Sequence, residues 1–212
     1  MKNLLYKEFH LVVHPLFYLV LLFGALLLIP EWVFFLVPMY FVFITLPNLF
    51  SMAKAQNDIG FSAMLPIKRS DIVKARIISI VILEILQIIA TAVFSAINIA
   101  LYHKGNLLLD PNVTFIGCVL VMFAIFNVVY FPLFYSTAYK IGLPMIAAMI
   151  ASVLFAAGVE MVMLFVPALK FLDGVENIPA QLPVLVAGIV IFALLNMLAY
   201  KKSVKNFEKI DL

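Results

Sequence analysis

The chain has 212 residues, of which 66% are apolar and 12% charged, with a mean hydropathy of +1.18 and a formal net charge of +3. Soluble domains run at about 45–50% apolar and about 25% charged, and a small globule leaves much of its surface in water. This composition excludes a water-soluble enzyme, a secreted disulfide scaffold and a disordered chain, and the lone Cys118 forms no internal bridge.

Residues 1–14 carry an amphipathic pattern. Asn3, Lys7, His10 and His14 fall on one helical face, and Leu5, Phe9, Val12 and Leu16 on another. They predict an interfacial helix before Pro15 turns the chain into the membrane. His10 and His14 alone make a weak metal pair. Each helical crossing needs about 20 mostly apolar residues. On that measure six transmembrane helices are predicted, near 13–30, 32–52, 76–101, 113–136, 144–167 and 182–200. Runs such as LVLLFGALLLI do not alternate as barrel strands do. The expected fold is an all-α integral membrane protein, a single domain over 1–212. The first apolar run lacks a small-residue cleavage site, so it is read as an uncleaved span.

Between spans two and three lies the most informative stretch, 53–75. Ile59, Phe61, Met64 and Leu65 alternate with Lys54, Asn57 and Asp58, and Pro66 stops the segment. A short helix over 54–65 would present one face to a partner and one to solvent. Ser70 is expected to cap the third helix, with Asp71 in its positive first turn. With the N-terminus inside, Lys2, Lys7, Lys54, Lys68, Arg69, Lys74, Arg76, Lys140, Lys201, Lys202, Lys205 and Lys209 lie on inner segments. Of the 14 basic residues, only Lys104 and Lys170 lie outside. The bias places both termini in the cytoplasm of a multi-pass cell-membrane protein. The outer loops, with turn signals at Lys104-Gly105-Asn106, Asp110-Pro111-Asn112 and Asp173-Gly174, are too short for a receptor domain.

The stretch Leu65-Pro66-Ile67-Lys68-Arg69-Ser70-Asp71-Ile72-Val73-Lys74-Ala75-Arg76 resembles the segment between the second and third spans of small bacterial ABC-2-type permeases. Lys7-Glu8-Phe9 before span one, the length and the basic tail are similar to that family too. The resemblance implies the transmembrane subunit of an ABC exporter for peptides, antimicrobials or related amphipathic compounds. It implies that 54–65 is a coupling helix that docks on a separate cytoplasmic ATP-binding subunit, with 66–76 re-entering the membrane. The coupling residues carried over are Lys54, Asp58, Ile59, Phe61, Met64, Leu65, Lys68 and Arg69. A second copy or a related permease would complete the pathway. The lipid bilayer is a partner and nucleic acid is not.

None of the eight glycines opens a phosphate loop, and there is no H-E-x-x-H. The chain is therefore expected to be non-catalytic and to bind no cofactor, with ATP and Mg acting through the ATPase partner. Ionisable residues inside spans are costly and are functional candidates by default. Glu84 with Gln87 on one face of span three, Asn127 in span four and Glu160 in span five are read as translocation-path groups or as interhelical polar contacts; both readings stand. Asn196 near the inner end of span six reads as interhelical glue. Ala92, Ala96, Ala100 and Ala148, Ser152, Ala156 mark close-packing stripes, and Pro38, Pro47 and Pro132 mark kinks. Two other functions fit a six-span chain without a phosphate loop: the membrane component of an energy-coupling vitamin importer, and a non-transporting immunity or sensor protein. Span one lacks the alanine stripe expected of the importer, having Ala25 alone.

Overall fold

Among the described residues, five helices are long and apolar enough to cross a bilayer: α3 (Leu36–Ala55), α5 (Arg69–Leu101), α6 (Val113–Ser136), α7 (Gly142–Phe165) and α8 (Ile178–Phe207). Short α-helices among the described residues are α1 (Lys2–Lys7), α2 (Leu16–Leu22) and α4 (Asp58–Met64). The computed structural model describes residues 1–13, 16–30, 32–64, 66–102, 108–137, 139–174 and 177–210, and these are helical without strands. His14, Pro15, Leu65, the Lys104-Gly105-Asn106 turn and the side chains of Val12, Leu16 and Ile59 lie outside the described residues.

Within the expected span at 13–30 the described residues form a shorter apolar helical leg, Phe17–Leu28. After Leu22 the helix tightens into a 3-10 segment over Phe23–Leu28. Gly24 explains the close fit here: a Cβ on it would stand 2.3 Å from the Phe94 ring of α5. The leg nevertheless runs far along α5. Glu8, just before it, pairs with Arg76, and Asn98 Nδ2 donates to Leu27 O at 2.5 Å. From Arg76 to Asn98 is about 33 Å at ~1.5 Å per residue, close to the ~30 Å hydrocarbon thickness.

Helix α3 contains a π turn at Phe41–Thr45. Pro47 lacks an N–H and its ring crowds the carbonyl four residues back, so the helix widens just before it. Asn48 Nδ2 donates to the Ile44 carbonyl at 2.8 Å, occupying one acceptor in that turn. Across helices, Asn206 Nδ2 of α8 donates to the Pro132 carbonyl of α6 at 2.8 Å.

Helix α6 is the centre of the bundle. Phe115, Phe123, Phe126, Tyr130 and Phe131 are fully enclosed by neighbouring helices. It meets α8 by backbone approach: a Cβ on Gly188 would lie 2.5 Å from the Gly117 carbonyl oxygen. Only glycine at both positions permits this, the small-residue logic of helix pairs in lipid. Ala148, Ser152 and Ala156 of α7 are likewise buried.

Both ends of the described chain lie at one end of the bundle. Lys7 and Glu8 meet Asp58 and Arg76 there, and Arg69 binds the carbonyls of Phe207 and Ile210. The opposite end holds Leu109–Asn112, the 3-10 segment Pro167–Leu172 and the start of α8.

Candidate functional site

At the terminal end, two cations and two carboxylates interlock. Arg76 Nε lies 2.5 Å from Glu8 Oε2, and Arg76 Nη2 also pairs with Asp58. Lys7 Nζ donates to Asp58 Oδ1 at 2.5 Å and to Ser62 Oγ at 2.8 Å. Glu8, Asp58 and Arg76 are only 2%, 6% and 3% exposed. The Arg76 guanidinium also sits 5.7 Å over the Phe50 ring of α3. Buried charges persist only when paired and hydrogen-bonded. Here the pairing joins α4 to α5 and to the N-terminal segment, with Phe50 of α3 beneath.

Local sequence explains the placement. Asn57 adopts φ 49, a left-handed turn that asparagine tolerates, between α3 and α4. Gly60 leaves room for it: a Cβ there would lie 2.7 Å from Asn57 Oδ1. The turn swings Asp58 inward as the first residue of α4 and leaves Phe61 59% and Met64 82% exposed.

The eight expected coupling residues therefore divide. Lys54, Phe61, Met64 and Lys68 are exposed. Asp58 is turned inward, because its carboxylate is needed by Lys7 and Arg76. Arg69 also turns back onto the bundle. Its Nη1 donates to Phe207 O at 3.1 Å, at the end of α8, and to Ile210 O at 2.8 Å, just past it, as a cation suits a helix C-terminus. It lies 5.4 Å over the Phe207 ring. Tyr139, at φ 66, packs on Phe207, and burial pushes its hydroxyl up from the usual tyrosine range against the pull of Arg69. Ile59 belongs to α4, and Leu65 lies outside the described residues. Ser70 does not cap α5; Lys68 occupies that position without a side-chain bond, while Asp71 does sit in the first turn.

A second polar group lies mid-bundle. Asn127 Nδ2 donates to Glu84 Oε2 and to Asn196 Oδ1, both at 2.9 Å, joining α5, α6 and α8. Asn196 Nδ2 in turn donates to Phe192 O at 2.9 Å. Gln87, one turn from Glu84, is fully buried beside it on the same helix face. Glu160 is elsewhere: its Oε2 accepts from Leu109 N at 3.0 Å at the far end. There Asn112 caps α6 by accepting from Phe115 N at 3.0 Å, and its Nδ2 donates to Leu172 O and Asp173 O at 2.9 and 2.7 Å.

Reading the sequence missed Glu8, Lys7 and Ser62 as site residues. One signal was present: Arg76 enters an apolar helix and requires a counter-charge, and Glu8 is the one acidic residue in the first thirty. The described residues contain no group of His, Cys, Asp and Glu arranged to hold a metal ion.

The family described as ABC-2 family transporter protein matches residues 3–208. No curated protein and no solved structure matches the chain.

Proposed function

The chain belongs to the ABC-2 transporter family, a membrane transport component that works with an ATP-binding subunit, and we propose that it is the permease half of an ATP-driven exporter. Its cargo in this reading is amphipathic: peptides, antimicrobials or related apolar compounds. The observation that carries the reading is the buried charge cluster. It makes α4 a handle fastened to α5, so that a push on α4 is delivered to a helix long enough to cross the membrane.

In this reading the terminal end is cytoplasmic. The leg 16–28 and α3 form an out-and-back pair, and with α5 to α8 the chain crosses six times. That count agrees with both described termini meeting at one end, and with the basic bias of that end. Phe61 and Met64, flanked by Lys54 and Lys68, are the docking surface for the ATPase, whose nucleotide and Mg remain in that partner. Asp58 and Arg69 hold the handle in place. The centre of one chain is filled with aromatic side chains, so the cargo path lies between two permease copies, identical or related.

Export from reconstituted vesicles tests the reading. Phe61→Ser with Met64→Ser is expected to lower ATPase binding at least tenfold while the bundle unfolds at its usual temperature. Asp58→Asn is expected to keep ATPase binding and lose export. Equal export by the parent chain and both variants would overturn the assignment.

A further inference from the structure

The interior network at Glu84 is unused by the coupling scheme, and its chemistry points to a ligand. Glu84, Gln87, Asn127 and Thr91 are each wholly buried. Both N–H groups of the Asn127 amide are committed, one to Glu84 Oε2 and one to Asn196 Oδ1. Among the described residues the atoms left over are Glu84 Oε1, Asn127 Oδ1 and Gln87 Oε1 on the acceptor side, and Gln87 Nε2 and the Thr91 hydroxyl on the donor side. An ionised carboxylate offers only acceptors, whereas a protonated one gains an O–H donor. Buried polar networks are stable when donors and acceptors match.

Among the described residues no charged side chain bonds Glu84, whose partner is the neutral Asn127. Helix α6 has no Asp, Glu, Lys or Arg between Val113 and Ser136, and its titratable neighbour is Tyr130, one turn from Asn127. On α8 the nearest such groups are Tyr200 and Lys201, at least one turn beyond Asn196. The leg 16–28 brings only Tyr18, and α3 only Tyr40 before Lys54. On α5 itself Arg76 lies about 12 Å away at ~1.5 Å per residue and is paired with Glu8 and Asp58.

We propose that Glu84 is a proton-binding site: a wholly buried carboxylate with no facing cation takes up a proton, and the neutral group is the form tied through Asn127 and Asn196 into the contact between α5, α6 and α8. The proton adds to a carboxylate oxygen and leaves from it to water, with no other bond changed. This site stands independently of the export reading.

The test uses the full-length chain in phospholipid nanodiscs, without ATPase or cargo, by infrared spectroscopy at neutral pH. The expected result is a carboxylic C=O band that is absent from Glu84→Gln and unchanged when sodium is replaced by choline. Asn127→Ala removes the N–H donated to Glu84 and is expected to move the same band, which keeps the test open if Glu84→Gln fails to fold. A spectrum of carboxylate alone at neutral pH, a band indifferent to both substitutions, or a band that follows sodium would overturn the proposal.

Discussion

The two ends of the bundle are held by different physics. At the terminal end, buried Glu8, Asp58 and Arg76 and the half-buried Lys7 pair with each other across the N-terminal segment, α4 and α5. At the far end, Asn112, Glu160 and Asp173 instead take backbone groups of neighbouring segments. A side-chain bond to backbone contributes about 1 kcal/mol, and its loss is local. Removing one member of a buried ion pair leaves an uncompensated charge and costs about 3–5 kcal/mol. The terminal end therefore behaves as one block, and the far end as several caps that release separately.

Substitutions sharpen that contrast. Arg76→Ala is expected to have the largest effect, about 3–5 kcal/mol of stability, read as reduced resistance to denaturant in micelles. Glu8→Gln combined with Arg76→Met should lose less than Arg76→Ala, because no lone charge remains. If the double variant is the weaker of the two, the cluster does not act by charge pairing. Next in size is Gly188→Ala, where the added methyl meets the Gly117 carbonyl. Overpacking of this kind costs about 1–3 kcal/mol, and the same measurement should show it. At the far end, Asn112→Ala removes a helix cap and is expected to cost about 1 kcal/mol, with the terminal-end spectroscopic signals unmoved.

The smallest effect concerns pH. Burial raises the Asp173 carboxyl above its ordinary range, against the Asp110 N–H and the nearby Lys170, which favour its charged form. A raised carboxyl binds its proton more tightly in the folded chain than in the unfolded one. Its stabilisation is present below the ordinary aspartate range and is lost as pH rises through the shifted one. The side chain is partly solvated, so the change is slight. Asp173→Asn removes a group that offsets acid destabilisation and should steepen the acid limb of an unfolding-temperature profile, and an unaltered limb would show that Asp173 does not contribute.

Much of this was legible in the order of residues. Uninterrupted apolar runs mark α3 and α5 to α8, and the Pro47 and Pro132 positions mark where helices depart from ideal bonding. The helix expected over 54–65 is instead split by a turn at Gln56-Asn57, with Lys54 still in α3 and α4 beginning at Asp58. What could not be read is partnership across distance. Glu8 and Arg76 are 68 positions apart, and Arg69 and Ile210 are 141 apart. Without those pairings Asp58 and Arg69 look like solvent-facing charges, whereas both are needed inside. The first leg was read as a full-length helix because Phe17–Leu28 is apolar throughout. The tightening near Gly24 depends on Phe94, a residue of a different helix.

The central claim is that buried charge fixes α4 to α5. Spin labels at Met64→Cys on α4 and Lys74→Cys on α5, in a Cys118→Ser background, measure that attachment directly in the isolated chain. The account expects one narrow distance distribution that broadens when Arg76→Ala is added. Distributions of equal width with and without Arg76 would contradict it.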